Sequence, residues 1–239
     1  MALPPTDLAE TLLRTRYPGA EAAFWAGSLS RGEGTPTSDL DLVVLYPGLE
    51  HAWRETVETQ GRLCDLFVHD PISLEIFFAK DVDRGRPTLM QMVAEGISLR
   101  PGALADNAKA MARRVLDDGP RVWSQAEIDR SRFLLGDLLD DLRGASDVTE
   151  IRSIGVALYA PLFEHHRRTR RVWSAGGKQI ARTLLREEGA FGRQFLSAFD
   201  TLFERGDAQG VIDLTGLITT PSGGVLRYWR QDAPPHRSV

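Results

Sequence analysis

With one cysteine in 239 residues, Cys64, the chain cannot form an internal disulfide. It has no apolar run approaching the ~20 residues of a membrane-spanning helix. Its first residues, Met1-Ala2-Leu3-Pro4-Pro5-Thr6-Asp7, lack both a basic region and an apolar core, so they do not read as a signal peptide. A cytoplasmic protein without a membrane anchor is expected. Cations are not in excess either: the formal charge is −4 and the pI is near 5.8. A sequence-independent nucleic-acid binder carries a basic balance or stripe, so long DNA or RNA is disfavoured as a substrate. The P-loop is absent. No Gly-Lys-Ser/Thr follows the glycines between Gly27 and Gly34, and Gly176-Gly177-Lys178-Gln179 lacks the hydroxyl residue that such a loop needs. The glycine spacing is also wrong for a dinucleotide fingerprint. There is no internal repeat and no low-complexity segment.

What remains is globular, with 42% hydrophobic and 26% charged residues, and long enough for one large or two modest domains. The first hundred residues alternate helical and extended patterns. A helix is expected over 8–17 and strands over 21–26, 40–46 and 62–69. Helical character is read over 51–60, over 74–80 and again through residue 93. After Pro101 no convincing strand remains, and apolar residues recur at helical spacing. Helices are expected over 103–116, 125–143, 148–171, 178–188, 191–205 and 207–217. The fold class is therefore an α/β (α+β) domain with a small mixed sheet at 1–100, followed by an all-α bundle at 101–231 and a flexible tail at 232–239.

The densest chemistry lies in Gly27-Ser28-Leu29-Ser30-Arg31-Gly32-Glu33-Gly34-Thr35-Pro36-Thr37-Ser38-Asp39-Leu40-Asp41-Leu42. An apolar run, 22–26, leads into Gly-Ser and a plausible short helix, whose free N–H groups suit phosphate. Asp39 and Asp41 bracket Leu40 at the start of the next apolar run. Side chains two apart on a strand share a face, so both carboxylates aim at one place. Hard oxygen ligands of this kind suit Mg²⁺, and one carboxylate pair can bridge two ions. A third acid is expected for such a site. Asp65 stands alone inside Leu63-Cys64-Asp65-Leu66-Phe67-Val68, where an unpaired charge is costly. The plainer readings are a Thr-Ser-Asp turn for the pair and a water-facing edge carboxylate for Asp65.

Gly-Ser followed by Asp-x-Asp resembles the nucleotidyltransferase signature of the DNA polymerase beta superfamily, and the likeness covers roughly residues 24–68. It implies that Asp39, Asp41 and Asp65 are catalytic and hold two Mg²⁺ ions. It also implies that Gly27 and Ser28 meet the triphosphate of ATP or another nucleoside triphosphate. Ser38 is placed with them, and Arg31 is either a phosphate contact or a solvated charge.

A small catalytic domain followed by a helical one is similar to the aminoglycoside, kanamycin-type nucleotidyltransferases. Trp173-Ser174-Ala175-Gly176-Gly177-Lys178 resembles a segment in which their lysine contacts phosphate. That assigns Lys178, and Arg182 one turn on, to the nucleotide. The kanamycin-type enzymes carry a glutamate base one turn before the lysine; Ser174 stands there instead. A serine cannot do that work unaided, which leaves Glu164, His165, Asp140 and Asp141 as base candidates. Asp137, Asp140 and Asp141 share a helix surface that is either a cation-recognising or a solvated face. The run His165-His166-Arg167-Arg168-Thr169-Arg170-Arg171 reads as the solvated end of a helix, or as a patch contacting triphosphate.

The resemblance implies Mg²⁺-dependent transfer of a nucleoside monophosphate, AMP by preference, to a hydroxyl of a small-molecule acceptor, with release of pyrophosphate. Two alternatives stand beside it: adenylylation of a partner protein, as in toxin–antitoxin pairs, and a dormant nucleotide-binding regulatory module. A monomer or a homodimer fits either.

Overall fold

The structure, a computed structural model, describes residues 4–35 and 37–232. Of the tail expected at 232–239, only Asp232 is among them. The chain divides into two compact units, Met1–Pro120 and Arg121–Val239.

The first unit runs α1 (Pro5–Arg16), β1 (Ala22–Ala26), a one-turn α2 (Gly27–Ser30), β2 (Leu40–Leu45), β3 (Trp53–Thr59), β4 (Arg62–His69), α3 (Pro71–Arg84), α4 (Thr88–Glu95), β5 (Ile97–Arg100) and α5 (Ala103–Asp118). The strands form one sheet in the order β3-β4-β2-β1-β5. Only the β2–β4 pair is parallel. β1 and β2 are apolar throughout, apart from one aspartate, and take the middle of the sheet, where both faces are covered. Leu8, Leu12 and Leu13 of α1 close one face over Leu40, Leu42, Val44, Cys64, Leu66 and Val68. Arg100 of β5 donates to the carbonyls of Leu13, Tyr17 and Ala20, and so satisfies the C-terminal end of α1. α5 packs on α4, α3 and β1 and belongs to the first compact unit, which runs to Pro120.

Residues 51–60 are the main departure from the helix expected there. Trp53-Arg54-Glu55-Thr56-Val57-Glu58-Thr59 alternates half-buried and exposed positions and pairs antiparallel with β4. Gln60 and Gly61 both have positive φ, 52° and 75°, the conformation of a two-residue turn matched to strand twist. The half-buried face carries a polar cluster: Tyr17 Oη and Trp53 Nε1 both donate to Glu55 Oε1, at 2.7 and 2.9 Å. β5 is a second departure, a four-residue edge strand where no strand was expected.

The second unit contains α6 (Gln125–Gly144), α7 (Val148–Arg168), α8 (Gln179–Glu187), α9 (Gly189–Arg205) and α10 (Gln209–Thr219). Leu135, Leu142, Leu158, Phe163, Phe195, Phe199 and Leu214 form its core. Ser124 and Glu127 close a capping box at the start of α6, and Asp147 caps α7. After a 3₁₀ turn (Thr220–Ser222), the chain lies back along α6. There Arg132 donates to the carbonyls of Gly223 and Gly224, Trp229 stacks on Phe133, and the Leu226 carbonyl rests where a side chain at Gly136 would be. No described helix is long and apolar enough to cross a membrane.

The run 165–168, expected as a solvated helix end, is buried. His165 is held between Ser131 and Ser222, at 2.9 and 3.0 Å. Arg167 donates to Glu188 and Glu187, at 2.5 and 2.6 Å. Arg168 lies over the Trp123 ring and donates to the Arg121 carbonyl. Buried cations require partners of this kind.

His69 in the first unit and His165 in the second are buried imidazoles, as is His166 beside His165. Burial pushes His69 down to about 4, with Asp70 opposing weakly; burial, then Arg132 and His166, push His165 down to about 4. In the unfolded chain a histidine titrates near ~6.5. The unfolded state therefore binds these protons first, and stability is full above about pH 6.5 and falls as the pH drops toward 4. Between pH 7.5 and 5.0 the loss is expected to be about 2 kcal/mol per histidine. Urea unfolding at the two pH values checks this. A flat profile would mean that both rings are solvated.

Candidate active site

β1 delivers Gly27, and β2 delivers Asp41. In the antiparallel pair Ala26 lies opposite Asp41, so the chain leaves β1 beside that carboxylate. Gly27 has φ +79°, and a Cβ built there would fall 1.9 Å from Asp41 Oδ2. Glycine is thus required twice, by its backbone conformation and by the close approach. On the other side, β2 and β4 run parallel with Asp41 opposite Asp65. Residues opposite one another in a sheet project to one face. Asp41 and Asp65 therefore share the face away from α1, and Asp41 is the single position of β2 that is not buried.

Asp65 is engaged. Thr56, its neighbour across the β3–β4 pair, donates to Oδ1, and Arg54 donates to Oδ2 at 2.5 Å. Burial pushes this carboxyl up, but the Thr56 and Arg54 hydrogen bonds and the Arg54 charge outweigh it and hold it below the usual carboxylate range. Arg54 and Thr56 were not anticipated because β3 was read as a helix. As a strand, 54 and 56 share a face, and that alternation was the available signal.

Asp39 is exposed, one residue before β2. Its preceding loop is tied to α2. Ser28 Oγ lies 3.4 Å from Ser38 Oγ, which accepts from the Thr35 amide at 2.8 Å, and Arg62 donates to the Ser38 carbonyl at 2.8 Å. Arg62, also missed from sequence, adds a cation behind this loop. Burial chiefly, with Asp39 and Asp65 adding to it against Arg62, raises the Cys64 thiol. It is a protonated core residue. Pro36 lies outside the described residues.

The first unit thus brings Gly27, Ser28, Ser38, Asp39, Asp41 and Asp65 to one end of the sheet. Arg31 is turned onto Glu33 and Glu95, at 3.3 and 3.8 Å. Lys178 and Arg182 belong to the second unit: Lys178 is exposed at the head of α8, and Arg182 is half-buried one turn on. Of the base candidates, Glu164 accepts from Ser174 Oγ at 2.8 Å, His165 is enclosed by its two serines, and Asp140 pairs with Arg143 at 3.0 Å.

Three carboxylates at one sheet end, all hard oxygen donors, match the donor chemistry of a divalent cation. Among the described residues, no three His, Cys, Asp or Glu side chains stand grouped as a formed metal cluster. Asp65 is turned onto Arg54 and Thr56, which supply positive charge and hydrogen bonds in that place. The missing side chain at Gly27 leaves the room that the Asp41 carboxylate occupies.

Residues 8–82 match the model of a nucleotidyltransferase domain. Among solved structures, a nucleotidyltransferase-like protein from Exiguobacterium sibiricum is similar at 12% identity and a TM-score of 0.43, over 90% of this chain and 74% of that one. No curated protein matches the sequence.

Proposed function

We propose that the nucleotidyltransferase domain spanning residues 8–82 transfers a nucleoside monophosphate, AMP by preference, from a nucleoside triphosphate to a hydroxyl of a small-molecule acceptor, releasing pyrophosphate. Nucleotidyltransferase domains generally use a nucleoside triphosphate and a divalent metal. The observation that carries the reading is the approach of Gly27 to Asp41, with Asp65 in register on the next strand.

Each residue has a definite task in this reading. Asp39 and Asp41 hold Mg²⁺, which when bound offsets phosphate charge and orients the triphosphate. Gly27 lets the phosphates approach the backbone, and the Ser28 hydroxyl donates to a phosphate oxygen. Asp65, kept ionised by Thr56 and Arg54, accepts a hydrogen bond from the acceptor hydroxyl and orients it. Ser38 fixes the loop that carries Asp39. Catalysis is then mostly positioning and electrostatic complementarity.

Calorimetric titration of ATP, GTP, CTP and UTP, with and without Mg²⁺, tests this. Binding that needs Mg²⁺ and is lost in Asp39→Ala/Asp41→Ala is expected, and the preferred nucleotide then primes a screen for acceptors. Equal binding without metal, or in the double variant, would remove these carboxylates from the nucleotide site.

A further inference from the structure

The second unit contains a cavity of about 530 Å³ that nucleotidyl transfer does not call upon. Small-molecule sites commonly enclose ~300–1,000 Å³. This one opens where the start of α6, the end of α7, the start of α9 and the end of α10 come together. Gln125, His166, Arg170, Phe191, Leu217 and Ser222 are among the residues that line it.

One wall is aromatic. His166 stacks on Phe191 with ring centroids 4.2 Å apart and planes 17° from parallel. Ile128, Leu217, Ile218 and Pro221 add apolar lining, and Gln125, Thr169 and Ser222 add polar groups.

The charge is one-sided. Arg170 is exposed at the rim, and no carboxylate is among the described lining residues. The nearby Glu187 and Glu188 are clamped by buried Arg167, at 2.6 and 2.5 Å, and Glu187 also meets Arg186 at 2.8 Å, so two guanidinium groups match the two carboxylates. His166 Nε2 lies 3.2 Å from Arg170 Nη1 and 3.4 Å from Glu188 Oε2. Burial, opposed by Glu188, holds this imidazole below its usual value. In the tautomer with its proton on Nδ1, Nε2 accepts from Arg170. A guanidinium has five N–H donors. The one spent on His166 orients Arg170 and leaves others for a ligand.

We propose that this cavity binds a small aromatic organic anion, its body against the Phe191–His166 wall and Leu217, its carboxylate or phosphate on Arg170. The inference does not depend on the nucleotidyltransferase reading, because neither the site residues nor the probe below involves a nucleotide.

The test uses the full chain and three probes with one ring system: 2-naphthoate, 2-naphthyl phosphate and the cation 2-naphthylmethylammonium, titrated by calorimetry. Saturable binding of one or both anions is expected, at least tenfold tighter than that of the cation, and the tighter anion names the head group. Arg170→Gln is expected to weaken anion binding about tenfold or more, in line with a charged hydrogen-bonded contact. Leu217→Trp fills the cavity from an exposed position and should abolish binding while the circular dichroism spectrum stays unchanged. Absence of saturable anion binding at millimolar concentration would overturn the proposal. So would equal affinity for the cation, or binding that survives both substitutions.

Discussion

Gly27→Ala is expected to cut metal-dependent nucleotide binding at least tenfold and to destabilise the first unit by about 2–4 kcal/mol. Gly32→Ala, five residues away, should do neither beyond about 1 kcal/mol of strain. The two glycines have nearly the same left-handed φ, +79° and +73°. What separates them is space. A Cβ at Gly32 meets nothing within 4 Å, whereas one at Gly27 lands on the Asp41 carboxylate. The strain of a positive φ is thus common to both variants, and the difference reports the displacement of Asp41 alone. Calorimetric titration of the preferred nucleotide with Mg²⁺, and urea unfolding of each protein, give the two readouts. If both variants bind alike, Asp41 is not held where the antiparallel register puts it.

The second large effect is expected at Arg167. Its side chain is 3% exposed, and its guanidinium engages Glu187, Glu188 and the Trp173 carbonyl. Burial pushes the Glu188 carboxyl up, and Arg167 and His166 more than compensate, leaving it below its ordinary value. Arg167→Met leaves that carboxylate without its main partner in a poorly solvated place. The expected cost is about 3–5 kcal/mol, the range for breaking one side of a buried pair. Arg121→Met is the matched control, because Arg121 meets Glu127 through two hydrogen bonds on the surface. Exposed pairs contribute about 0–1 kcal/mol. Adding Glu188→Gln to Arg167→Met should restore part of the loss, since the stranded charge is then gone. Thermal unfolding of the four proteins resolves the differences, and an Arg167→Met protein as stable as Arg121→Met would mean that water reaches Glu188.

Those two sites differ in how far they could be read from the amino-acid order. Gly27-Ser28 and Asp39-x-Asp41 are close in sequence, and the strands around them are apolar and short, so their nearness is legible locally; Asp41 stands on β2, whereas Asp39 precedes it. Asp65 could be nominated because a lone carboxylate in an apolar run needs a reason. That it lies opposite Asp41 is a matter of parallel register, which no local pattern contains. β3 was misread because Arg, Glu and Thr serve helices and exposed strands alike; its partner β4 decides between them. The six helices from 103 onward follow from apolar periodicity, with ends off by at most three residues. The burial of residues 165–168 could not be seen, since Glu187 and Glu188 lie about twenty positions downstream. A cationic run looks solvated until its carboxylates are found. The Arg170 cavity is a longer-range matter still, assembled from four helices.

The return of the last residues along α6 bears on the order in which the protein can complete itself during synthesis. All five strands and α5 of the first unit lie within its first 118 residues, so its pairing can be finished while the rest is unmade. The second unit differs. Arg132, near its beginning, waits for the carbonyls of Gly223 and Gly224, and Phe133 for Trp229, across separations of more than ninety residues. Such long closures are slow, and they leave apolar surface open in the interval. Half of the molecule can therefore be native on the ribosome while the other half is still an unclosed bundle.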